Sequence, residues 1–193
     1  AAVAARAVLD GTQRNLVNSL ESQKLWRMIL RSVKGTDHAD VWQIWCDSLS
    51  EIHKGKADKD HVRLVKELQH VILHDVVGEK DTQAALLERL YKTRRNSKEA
   101  LELLEWTKVK GVASPAFWRS VVVQEQNRLQ KDSDTEGSTL QLIRSAFDYL
   151  IASSESADDI ATYLRFLCLH CDAQQEAITL FTKYTQRMSR TDV

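Results

Sequence analysis

The sequence predicts an all-α fold, an α-solenoid of antiparallel helix pairs, and three observations carry that prediction. Only one Pro and six Gly interrupt 193 residues, whereas sheet proteins need turn residues every few positions. Apolar residues recur at three- and four-residue steps along most of the chain, the spacing that gathers them on one side of a helix. Large aromatics recur on a longer scale. Trp42, Trp118 and Tyr163 fall near multiples of roughly 38 to 45 residues, the length of the longer helix-pair repeats.

The elements follow in order. The first predicted helix covers residues 2–20, with a break near Gly11. The second, 23–33, is stopped by Lys34-Gly35, a basic last turn followed by Gly. Thr36 or Asp37 caps the third, 38–52, by accepting from free backbone N–H groups. The fourth, 59–77, carries Val62, Val65, Leu68, Ile72 and Val76 as a one-sided stripe. Asp81 opens the fifth, with Ala84, Leu87, Leu90 and Tyr91, and the basic stretch 92–96 is a loop. Ser97 caps the sixth, which turns Ala100, Leu101, Leu104 and Val109 inward and ends at Gly111. Ser114-Pro115 is a start signal, Ser as cap and Pro at the first helical position, for a seventh helix, 115–129. That helix presents Phe117, Trp118, Val121, Val122 and Leu129. The polar run 131–138 reads as a flexible loop, and helices over 139–152, 157–171 and 173–188 complete the chain.

Short connections make neighbouring helices antiparallel. The expected organisation is one domain, 1–193, with irregular helices over 1–40 and pairs at 41–77, 79–111, 115–153 and 157–189. Each pair leaves one face unburied until the next pair covers it. In that packing Trp42, Trp45, Trp118 and Tyr163 fill the gaps between helices. Ala100, Ala146 and Ala177 let backbones approach closely.

Bulk properties narrow the function. An apolar content of 43% is enough for a core. Lys+Arg and Asp+Glu balance at 27 each, so the overall basic excess of a protein bound mainly to phosphates is missing. The run lengths predict no membrane span, and residues 1–10 lack the build of a signal peptide. Cys46, Cys168 and Cys171 are too few and odd in number for a disulfide framework, which points to a reducing compartment, cytosolic or nuclear. The chain starts at Ala1 rather than Met, as a piece of a longer protein would.

Candidate chemistry is sparse. His70 and His74 share a helical face, but no His-Glu-x-x-His pattern supplies a base or third zinc ligand. Cys168, His170 and Cys171 lack a second cysteine pair, and the two thiols read as small core residues. Neither a Gly-x-Ser-x-Gly elbow nor a Gly-rich phosphate loop occurs. Glu102/Glu105 and Asp158/Asp159 read as solvated carboxylates or favourable charges near helix N-termini. The expectation is therefore no enzyme, no catalytic or metal site, no cofactor and no small-molecule substrate. Lys92, Arg94, Arg95 and Lys98 are the candidates for contact with RNA or a partner, with Arg119, Arg128 and Lys131 adding charge further on; the alternative is a solvated basic loop. Trp106, late in the sixth helix, is a candidate interface anchor.

One family resemblance emerges. Phe117-Trp118-Arg119-Ser120-Val121-Val122-Val123-Gln124-Glu125 resembles the first helix of a HAT (half-a-TPR) repeat, and Val41-Trp42-Gln43-Ile44-Trp45 has the same opening. Ile143-Arg144-Ser145-Ala146-Phe147 and Ala177-Ile178-Thr179-Leu180-Phe181 are similar to its second helix. The order of elements from Trp42 to Met188, about four fifths of the chain, is most similar to HAT subunits of the UTP-B module of the small-subunit processome. The resemblance implies a non-catalytic scaffold in the nucleus and nucleolus. It would be joined to WD-repeat proteins, support pre-rRNA processing and touch pre-rRNA or snoRNA only peripherally. A HAT or TPR-like scaffold of another RNA machine, in splicing or mRNA 3′-end formation, is the alternative, and a direct RNA-binding repeat protein is another. The chain departs from the pattern where Ile160 replaces the last repeat's Trp, where residues 81–91 lack a Trp, and where the closing Pro is absent. Trp26 and Trp42 are also too close for two full repeats, so a helix has been lost there or a segment omitted.

Overall fold

The computed structural model describes residues 1–14, 16, 19–33, 39–52, 58–76, 80–131, 136–154 and 156–191. Among these the chain is all-helical. The helices are α1 (Ala2–Gln13), α2 (Ser19–Val33), α3 (Ala39–Ile52), α4 (Asp58–His74), α5 (Lys80–Lys92), α6 (Ser97–Lys110), α7 (Pro115–Leu129), α8 (Glu136–Ser153), α9 (Ala157–His170) and α10 (Gln174–Thr191). No helix among the described residues is long and apolar enough to cross a membrane. The chain divides into two compact units, Ala1–Arg95 and Asn96–Val193. The division falls between α5 and α6, inside the pair expected over 79–111.

In the first unit α1 packs on α2 and α3, α2 on α3, and α5 on both α3 and α4. Trp26, Trp42, Trp45, Leu68, Ile72, Leu87, Leu90 and Tyr91 are buried in its core. Trp42 and Trp45 meet edge to face with centroids 5.8 Å apart, and the Trp26 indole N–H donates to the Ser48 hydroxyl at 2.7 Å. The break expected near Gly11 falls two residues past it, and Gly11 itself stays helical. A helical Gly costs about 1 kcal/mol relative to Ala, and α1 offsets that by burying Ala5, Val8 and Gly11 as one three-step stripe. The helix ends only at Gln13, and α2 begins at Ser19, ahead of the expected residue 23. At the end of α4 the N–H groups of Asp75 and Val76 both reach the Val71 carbonyl, which closes the helix before residue 77. Val62, expected inward, is half exposed; two residues before Leu64, it faces roughly 200° away from the buried run of Leu64, Leu68, Val71 and Ile72. The cap at Thr36 or Asp37 and the stop at Lys34-Gly35 lie outside the described residues.

In the second unit α8 is the central element, packed against α6, α7 and α9, and α9 carries α10. The cap of α6 is Asn96, not Ser97. Asn96 is extended and its side chain accepts from the Glu99 N–H at 2.9 Å, while the Ser97 hydroxyl lies 3.0 Å from that of Ser138. Gly111 closes α6 as expected, with φ +62° in the left-handed region where a side chain is strained. Ser114 accepts from the Phe117 N–H at 3.4 Å and Pro115 opens α7. Val109 points outward at 69% exposure. The buried side of α6 is set by Ala100, Leu103, Leu104 and Thr107, and two residues on from Thr107 the helix has turned roughly 200° away. Instead of continuing the polar loop to residue 138, the chain enters α8 at Glu136.

Candidate functional site

The second unit holds its helices together with an aromatic ladder. Phe117 and Trp118 open α7, and their rings meet edge to face at 5.0 Å. Trp118 lies against Tyr149 of α8 at 5.0 Å. Two residues earlier on α8, and so on its other side, Phe147 stacks on Tyr163 of α9 at 4.7 Å and touches Phe166 at 5.5 Å. Such pairs contribute about 0.5–1.5 kcal/mol beyond the apolar area they bury. Ala146 is fully buried beside Phe147, and Ala100 and Ala177 are buried on α6 and α10. The residues expected at packing positions, Trp42, Trp45, Ala100, Trp118, Ala146, Tyr163 and Ala177, are all buried. Tyr149 is the rung that periodicity alone did not single out. Its hydroxyl donates to Glu105 at 2.6 Å, and Lys108 lies over its ring at 4.6 Å. Burial first, and then the Glu105 carboxylate, push its phenol up to about 12.

Polar bonds tie the same helices at their edges. Arg119 of α7 grips Asp159 of α9 with two parallel hydrogen bonds of 2.8 Å, Nε to Oδ1 and Nη2 to Oδ2. Ser154 donates to Asp159 Oδ2 at 2.7 Å. The Arg119 bonds are the main reason the Asp159 carboxyl lies below its ordinary range. Tyr163 donates to Asp148 at 2.9 Å, and Arg144 of α8 pairs with Glu176 of α10. Two expectations change here. Asp159 is buried rather than solvated, because Arg119 reaches it from α7 as counter-charge and Ser154 donates to it. Arg119 is correspondingly committed to that carboxylate rather than being spare charge for RNA. Arg128 lies 3.8 Å from the buried Glu125.

The basic candidates separate into two kinds. Lys92 and Arg95 are exposed. Arg94 folds back: its Nη1 donates to the Tyr91 carbonyl at 2.8 Å and its guanidinium lies 4.0 Å above the Tyr91 ring. It therefore serves the C-terminus of α5, where a cation meets the negative end of the helix. Lys98 is exposed on α6 of the second unit. Trp106 is half-buried on α6.

The remaining candidates carry little chemistry. The His70 and His74 rings lie 4.7 Å apart and both residues are exposed. Among the described residues no three His, Cys, Asp or Glu side chains are grouped to hold a metal ion. Cys46 is buried, and that burial pushes its thiol up to about 12. Cys168 is exposed and Cys171 half-buried, which corrects the reading of both as core residues. The inner side of α9 is taken by Ile160, Tyr163, Phe166 and Leu167, and Cys168 falls one residue past it.

An open groove of about 260 Å³ lies among α8, α9 and α10, with Ile151, Ile160 and Leu180 in its walls and Asp148 and Lys183 among its lining residues. Beyond it Ile178 and Phe181 stand on the outer side of α10, each more than half exposed. The hydroxyls of Thr182 and Thr185 donate back to the carbonyls of Ile178 and Phe181.

Comparison with known proteins found no match among family models, curated proteins or solved structures.

Proposed function

We propose that this chain is a non-catalytic protein–protein scaffold built from antiparallel helix pairs of the HAT kind. The observation that carries this reading is the interlock of α7, α8 and α9. The aromatic of one helix (Trp118) meets the next at Tyr149, and Phe147 passes the contact on to Tyr163. The small residue of the same stretch, Ala146, is sealed between them. This is the packing expected of a repeat that covers each pair with the next. The exposed Ile178 and Phe181 on α10 suit a helix that receives a further protein surface.

On the strength of the HAT-like helices, the chain acts in the UTP-B module of the small-subunit processome, among WD-repeat partners in the nucleolus. There it supports maturation of the small-subunit rRNA. A scaffold of a splicing or mRNA 3′-end machine would use the same packing. Imaging of the fluorescently tagged protein at its natural expression level separates the two. Nucleolar foci are expected, and a diffuse nucleoplasmic signal would move the assignment to the other machines. The exposed Lys92 and Arg95 support a peripheral RNA contact, which would help position the scaffold without reading sequence.

A further inference from the structure

His70 and His74 lie on the last turn of α4, with His74 its final residue, and the scaffold reading uses neither. Residues four apart share one face of a helix, their Cβ atoms about 5–6 Å apart. Here the imidazole rings themselves have come together, with centroids 4.7 Å apart and planes tilted by 48°. Both residues are exposed, so the outer side of the pair is open to water.

The backbone beneath the rings is held firmly. Leu68, Val71 and Ile72 are buried on the opposite side of the same turns. The Asp75 N–H reaches the Val71 carbonyl at 2.9 Å and carries the helical pattern past His74. Gln83 of α5 donates to the Ile72 carbonyl at 3.1 Å. The two rings therefore project from a fixed frame, the condition for a site that needs no rearrangement to bind.

Their spacing is that of two ligands on one ion. A zinc ion about 2.0–2.1 Å from one nitrogen of each ring, with the two bonds at roughly 90–110°, puts the ring centres about 4.5–5.2 Å apart. The observed 4.7 Å falls inside that window. The Cβ–Cγ bond points through the ring centre, so a turn about it leaves the centroids in place while swinging a nitrogen towards the ion. That torsion is broad for histidine. The position is favourable for a cation as well, because the C-terminal end of a helix is its negative end.

We propose that His70 and His74 form a two-histidine chelate for a divalent transition-metal ion of the kind that imidazole suits, zinc or copper(II). Among the described residues no third His, Cys, Asp or Glu is grouped with the pair, so water fills the remaining positions. The ion ties the last turn of α4 from His70 to His74. This is a surface site and supplies no catalytic base.

The test is a titration of the full, untagged chain with zinc chloride, followed by the ring nitrogen signals of its histidines and by calorimetry. The first equivalent should move the His70 and His74 ring signals together and leave those of His170 in place. His70→Gln and His74→Gln should each weaken zinc binding on the order of a hundredfold, because each removes one of two linked ligands; His170→Gln should leave it unchanged. A first equivalent that moves neither ring, only one of them, or His170 instead would overturn the proposal. So would full affinity in either α4 variant. The ring signals are read on the unaltered protein and do not depend on any variant folding.

Discussion

The two compact units bury their aromatics in different company. In Ala1–Arg95 Trp42 and Trp45 meet each other edge to face, Trp26 donates to Ser48, and Arg89 of α5 pairs with Asp47 of α3 at 2.6 Å. In Asn96–Val193 the aromatics form a ladder from Trp118 to Phe166, edged by charged and hydroxyl groups: Arg119, Asp159 and Ser154 on one side, Tyr149 with Glu105 and Tyr163 with Asp148 on the other. Apolar burial is non-directional, whereas bidentate pairs and ring stacks fix one geometry. The directional contacts of the second unit join three successive helices in a row, and it is there that the HAT-like pattern of the sequence is densest.

The largest effects should come from the aromatics. Trp118→Ala and Trp42→Ala are each expected to lower stability by about 3–5 kcal/mol, read as a shift of the urea midpoint by circular dichroism. A loss below about 1 kcal/mol in either would remove that ring from the set that holds its core. Next comes close approach. Ala146→Leu should cost about 1–3 kcal/mol by overpacking, while Ala161→Leu, on the exposed side of α9, should be near neutral. Equal effects at the two positions would break the argument that Ala146 is small because a neighbouring helix needs the space.

The pH dependence tests the polar edge. The Asp159 carboxyl is depressed below its ordinary value of 3.8. Its contribution is thus fully present above that value and is lost as the pH falls through the lower, folded-state value. Wild type should exceed Asp159→Asn in stability by a constant margin near neutral pH; the margin should start to shrink below about pH 4 and vanish only below the folded-state value. A margin that persists in acid would mean that the variant fails by packing rather than by loss of the Arg119 pair.

The smallest effect concerns RNA. Replacing Lys92 and Arg95 by Ala should reduce the salt dependence of any structured-RNA binding by up to about one unit of slope for each phosphate that is no longer neutralised. Arg94→Ala should act instead on the end of α5. An unchanged slope in the double variant would assign the exposed lysine and arginine to solvent.

How much of the fold and the site is legible in the sequence varies by element. Ser114-Pro115 and Gly111 are readable because a cap, an N1 proline and a left-handed glycine are local devices that depend on little beyond their own turn. The cap of α6 shifts by one residue, from Ser97 to Asn96, because adjacent polar side chains compete and Ser97 meets Ser138, far away in the chain. Val109 eludes its own spacing, which does not reveal the face that Leu103 and Thr107 fix. Asp159 has the look of a solvated helix-start carboxylate, and only the arrival of α7 brings Arg119 to it. The exposure of Cys168 has the same origin: which side of α9 is inner depends on where α8 lies.

The central claim is that the chain works by holding other proteins. Affinity purification of the tagged protein from cells, with the recovered proteins and RNA identified, tests it most directly. Recovery of WD-repeat nucleolar proteins together with small-subunit pre-rRNA is expected. Recovery of the protein without either would contradict the claim.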